Sequence, residues 1–225
     1  MPQVRLACYL RSALYVVYAF LLGVLLAGLL EVLAAMLPNA ALTMVSLWAT
    51  LLLSSWYVFR RRRIVPKYQW RLALKQLVAD WRIVVALALL NGLLLLCLAG
   101  IDRQALLPRR NFLADYLFGK VPAAFVEEVF FRAAVHGIFA SAVPASLAVI
   151  LTSVAFSMAH IGTLRWGSAI LCRLSMVVLA YVFICSCVIT DRYRRNGNLA
   201  YVTLLHCWQP LERRLLCDLL MMFGV

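Results

Sequence analysis

The chain has 225 residues, 65% of them hydrophobic and 14% charged, against about 25% charged in an ordinary soluble domain. That balance excludes a soluble globular protein and identifies a polytopic integral membrane protein. The net charge of +13 does not indicate nucleic acid: the basic residues fall mostly between apolar segments, where they set topology or meet anionic lipid headgroups, and no soluble basic module remains.

The first apolar run, 12–37, is interrupted only by Glu31. It exceeds the roughly 7 to 15 residues of a signal-peptide core and is expected to remain as an anchor. Uncharged runs at 40–59 and 83–101 each reach the ~20 residues that cross a bilayer. The pattern predicts helices at 12–37, 40–59, 82–101, 121–140, 144–161, 168–190 and 199–211, followed by a short apolar tail at 215–225. Strands are not expected, because an open sheet leaves backbone groups unsatisfied in lipid and no barrel-like alternation of ~10 residues recurs. The expected fold class is all-α, with about seven transmembrane helices in a single membrane domain over 1–225.

Arg60 to Arg63, with Lys67, Arg71, Lys75 and Arg82, is the densest basic stretch and marks a cytoplasmic side. Arg5 and Arg11 then place the N-terminus inside, and counting crossings puts 191–198 inside too, in agreement with its arginines and the Asn196-Gly197 turn signal. Residues 102–120 carry Arg103, Arg109, Arg110 and Lys120 yet fall outside by this count, so either they lie along the interface or the count shifts by one. Trp56, Tyr57, Trp70, Trp81 and Trp166 sit near segment ends, as in an interfacial belt. The seven cysteines form no C-x-x-C pair and read as small buried hydrophobes.

Ionisable groups inside an apolar helix mark function by default, which singles out Glu127-Glu128-Val129-Phe130-Phe131-Arg132. On a helix Glu128 and Arg132 are four apart and share a face, so they can pair as ions. Glu127 is rotated by ~100° and is the freer carboxylate. His160 and His206 also stand in apolar runs, and carboxylate with imidazole is the usual equipment for moving protons. Counting ~1.5 Å per residue from the expected turns at 140–144 and 191–198 puts Glu127, His160 and His206 in a similar layer of the membrane.

These residues resemble the CAAX prenyl protease and bacteriocin-processing family, membrane proteins related to type II CAAX prenyl endopeptidase. The family's E-E-x-x-x-R matches Glu127, Glu128 and Arg132; its F-x-x-x-H matches Phe156 and His160. Its third motif, H-x-x-x-N or D, is matched only at His206: Pro210 stands where Asn or Asp is usual, and Gln209, one residue earlier, is the nearest amide. The resemblance covers roughly 121–211. It implies an intramembrane endopeptidase without a metal cofactor, acting on a membrane-associated protein or peptide. Glu127 would activate a water, with Glu128 and Arg132 beside it; His160 would position that water, and His206 would stabilise the oxyanion. Phe156 and Gln209 would support the two histidines.

Other readings stay open at this point. The acids and Arg132 can be a structural ion-pair cluster, His160 can simply bond a carbonyl near a helix end, and Phe131 and Phe156 can be packing residues. His136, one turn from Arg132, reads as packing, and Glu31 is undecided. Zinc held by His160, His206 and a glutamate is a minor alternative, although no H-E-x-x-H occurs. Pro210 supports a further alternative, a non-catalytic scaffold or immunity protein with the same polar core. Nineteen arginines against three lysines, together with short loops, lean toward a bacterial inner membrane.

Overall fold

The computed structural model describes residues 2–37, 39–101, 112–164 and 167–222. Ten α-helices are present among them: α1 Pro2–Met36, α2 Ala40–Arg62, α3 Trp70–Ala79, α4 Trp81–Ile101, α5 Phe112–Asp115, α6 Val121–Glu128, α7 His136–Ala140, α8 Ala145–Ala159, α9 Ala169–Asn196 and α10 Leu199–Met222. The protein is all-α. Four helices, Ala13–Met36 within α1, α2, α4 and α9, are long and apolar enough to cross a membrane. These four spans, rather than seven, are what length and composition establish. The remaining apolar helix, α8, has only 15 residues, while α10 carries charges along its second half.

Much of the outward surface of the spans is apolar, with Leu25, Leu53 and Leu89 each about two-thirds exposed or more, as lipid-facing positions should be. Inside, two apolar clusters form. One joins α4, α9 and α10 through Leu87, Leu94, Ile189, Tyr201 and Leu205; the other joins α1, α2 and α8 to 121–140 through Ala19, Leu51, Phe131, Phe139, Leu151 and Phe156. The tightest approach is α1 against α8. A Cβ on Gly23 would lie 2.3 Å from the Met158 Cβ and 2.6 Å from the Ala155 carbonyl oxygen, so only glycine lets these helices meet.

Several boundaries differ from the sequence expectation. The helix expected at 121–140 begins at Phe112 and runs to Ala140, with π-helical turns at Tyr116–Lys120 and Val129–Val135. Where 191–198 was expected to be a turn, α9 continues to Asn196: Asp191 accepts from Arg194 at 2.6 Å and Arg195 at 2.7 Å, which supports another helical turn before Gly197 caps it in the left-handed region at φ 62°. The chain also stays helical past 211 to Met222, so the expected tail belongs to α10 up to that point. Arg103, Arg109, Arg110 and Trp166 lie outside the described residues.

The basic stretch and the α9–α10 turn sit together, as the expectation that both lie inside requires. Leu199 N–H donates to the Lys67 carbonyl at 2.9 Å, the Asn198 carboxamide bonds Gln69 and Gln76, and Tyr201 donates to Asp80 at 2.7 Å. These bonds fasten the start of α10 to α3. The register of His206, two turns further along, is set by that anchor.

Candidate active site

The acidic pair ends α6, and the seven residues that follow are all buried in a π-helical turn. Such wide turns are rare and appear frequently at functional sites, because only tertiary packing holds them. Across this turn Arg132 Nε lies 3.1 Å from Glu128 Oε2, with both side chains fully buried. Desolvating two ions is costly, and the pair survives only when its remaining polar atoms find partners. His206 supplies one, its Nδ1 lying 2.8 Å from Glu128 Oε1. On the other side, the Arg132 guanidinium stacks 4.5 Å over the Phe156 ring.

A carboxylate only accepts, so Nδ1 of His206 carries the proton and donates to Glu128. The ring is thereby turned so that Nε2 lies 3.8 Å from Glu127 Oε2. His160, the residue closing α8, is fixed in a similar way: its Nδ1 donates to the Phe156 carbonyl at 2.8 Å, which leaves Nε2 as the basic nitrogen of the neutral ring. The carbonyl bond that a bland reading assigns to His160 is therefore present, and it orients the ring. Phe156 touches the whole set, with centroid distances of 4.7 Å to His160, 5.9 Å to His206 and 5.0 Å to Phe131. It packs, and in packing it spaces the two imidazoles.

A cavity of about 260 Å³ is lined by Glu127, His160, His206, Phe156 and Gln209, at the seam between the two apolar clusters. Glu128 is not on its wall; it lies behind, holding His206. Glu127 and His160 also face a second cavity of about 250 Å³ that opens between α1 and α2 and is walled by Leu26, Leu30, Leu47 and Trp48. The freer carboxylate thus stands between a polar chamber and an apolar one.

Pro210 lines the cavity without a side-chain donor, and it also removes the N–H that would close the helical bond to the His206 carbonyl. Gln209 is buried on the same wall, its Oε1 3.4 Å from the Tyr181 hydroxyl. His136 is elsewhere, its Nδ1 3.3 Å from Thr152 Oγ1, in keeping with packing. Glu31 reaches the turn after His160: a Cβ on Gly162 would lie 3.3 Å from its Oε1. Among the described residues no three His, Cys, Asp or Glu side chains are grouped to hold a metal ion, so the zinc reading lacks a ligand set.

Among the cavity-wall residues that sequence reasoning does not single out are Lys120, Tyr181 and Arg213. In the sequence Lys120 reads only as a loop charge, and Arg213 lies beyond the expected end of its helix. Counting onward from His206 in steps of three and four would have reached Arg213.

No curated protein and no solved structure matches the chain. Residues 109–209 match the model of a family described as Type II CAAX prenyl endopeptidase Rce1-like. The match contains both acids, Arg132, Phe156, both histidines and Gln209, and it begins where the described chain enters the broken helix 112–140. Over this segment, which is less than half of the chain, the protein is similar to that family of membrane endopeptidases.

Proposed function

We propose that the protein is an intramembrane endopeptidase that hydrolyses a peptide bond of a membrane-associated substrate with a glutamate-activated water. The observation that carries this reading is the shared cavity of Glu127, His160 and His206, with Glu128 holding His206 from behind. Glu127 takes a proton from a water as it attacks the carbonyl, and the basic Nε2 of His160 holds that water in line. A doubly protonated His206 donates from Nδ1 to Glu128 and from Nε2 to the developing oxyanion. Two carboxylates then face two cations, Arg132 and His206, so the reacting cluster is neutral. The proton on Glu127 passes to the leaving amine as the intermediate collapses.

Pro210 leaves the place of a second donor empty, so His206 is the oxyanion donor in this scheme and Gln209 supports the wall beside it. The catalytic core spans 121–211 within a single membrane domain over 1–225. Its short helices complete about seven spans around the polar chamber, and the arginine-rich loops suit a bacterial inner membrane. Replacing Glu127 with Gln tests the reading: new peptide termini found by mass spectrometry in membranes expressing the native protein should disappear with the variant at equal protein levels. Their persistence would reject it.

Pro210 favours one second reading, a non-catalytic scaffold or immunity protein that keeps the ion-pair core. The same variant separates the two, since a scaffold keeps its cellular phenotype without Glu127 and generates no termini in either form.

A further inference from the structure

The cavity has more buried donors than acceptors. Nε2 of Gln209 and Nε of Arg213 are both buried without a hydrogen-bond partner among the described residues, and both side chains are on the wall. Stacking of the Arg213 guanidinium 5.1 Å over the Tyr181 ring engages the face of the cation and leaves its buried Nε unpaired. No ion pair among the described residues involves Arg213. The adjacent acid, Glu212, instead accepts from Asn91 at 3.2 Å, away from the cavity.

The charges on the wall point the same way. Arg132 is committed to Glu128, which leaves Lys120 and Arg213 against one carboxylate, Glu127. A half-buried cation whose buried Nε has no partner, inside a membrane protein, calls for an anion. The planar fork of a guanidinium suits a carboxylate in particular. On α10, His206, Gln209 and Arg213 stand at i, i+3 and i+7 and so share a face. Arg213 is two turns, about 10 Å, from His206.

We propose that Gln209 and Arg213 form a subsite for a carboxylate of the peptide substrate, about 5–10 Å along α10 from the reacting carbonyl. This rests on the peptidase reading and adds a selectivity to it: substrates with an acid at that distance are preferred. The acid can be a chain-terminal carboxylate or an Asp or Glu side chain, which offer the same two oxygens.

Binding is measured on the full chain in nanodiscs, carrying Glu127→Gln so that no chemistry is needed. The probes are fluorescent acetylated Ala/Leu peptides ending in a free acid, ending in a carboxamide, or ending in a carboxamide with one Asp in any of the last four positions. The free-acid or an Asp peptide should bind about ten- to hundred-fold tighter than the plain carboxamide, and whichever does so names the source of the carboxylate. Arg213→Met should bring that ratio close to one, and Arg213→Lys, which keeps a cation should the Met variant fail to fold, should lower it without erasing it. Equal binding of all probes, no measurable binding, or a preference that survives both substitutions overturns the subsite. Cleavage by the native chain is scored separately. An acid preference without cleavage sinks the hydrolytic reading and leaves the subsite standing; cleavage without the preference does the reverse.

Discussion

Glu128 and Glu127 are neighbours in sequence with opposite environments, and their substitutions should behave differently. Glu128 is fully buried between Arg132 and His206, so Glu128→Ala leaves the Arg132 guanidinium in the core without its partner, at a cost of about 3–5 kcal/mol. Thermal unfolding in detergent should register this as a large drop in midpoint. Glu127→Gln, on the cavity wall, should leave the midpoint nearly unchanged. The arrangement of this pair is legible in the sequence, because a four-residue spacing to Arg132 selects Glu128 and the ~100° rotation frees Glu127. What spacing cannot supply is the third partner: that His206 meets Glu128 through Nδ1 depends on how α10 is seated.

That seating is decided by whole elements. Pro210 and the charges Arg213, Arg214 and Asp218 suggest that the last helix stops near 211, yet α10 runs to Met222. Arg214 pairs with Asp218 at 2.9 Å one turn on, Arg213 faces the cavity, and a proline in a membrane helix is tolerated when its neighbours satisfy the freed groups. The two π-helical turns were equally illegible, since they arise from packing against α2, α8 and α10 and not from local propensity. The α1–α8 contact gives a test at this scale. Gly23→Ala places a methyl 2.3 Å from the Met158 Cβ. The helices must separate, at about 1–3 kcal/mol, and the end of α8 that carries His160 moves with them. Circular dichroism melts should show the loss, and cleavage should fall although Gly23 is not on the cavity wall.

For the molecule as a whole, the sequence established the class better than the number of spans. Composition and the absence of alternation gave an all-α membrane protein, and the basic stretch and the α9–α10 turn do meet, through Lys67, Gln69 and Asn198. Single cysteines at Arg63 and Arg195 should therefore react with an impermeant maleimide from the same membrane face. Labelling from opposite faces would break the topology. The span count was less legible because 121–140, 145–159 and 199–222 enclose a polar chamber, and helices around such a chamber need neither full length nor uniform apolarity.

The account depends on Glu127 and His206 acting as one unit across the cavity, 3.8 Å apart. Cleavage rates of the native chain, Glu127→Gln, His206→Asn and the double variant measure this directly. Each single substitution should lower the rate by about 10²- to 10⁴-fold, and the double variant should be little worse than the weaker single. Losses that multiply in the double variant, or a Glu127→Gln protein that cleaves at the native rate, would contradict it.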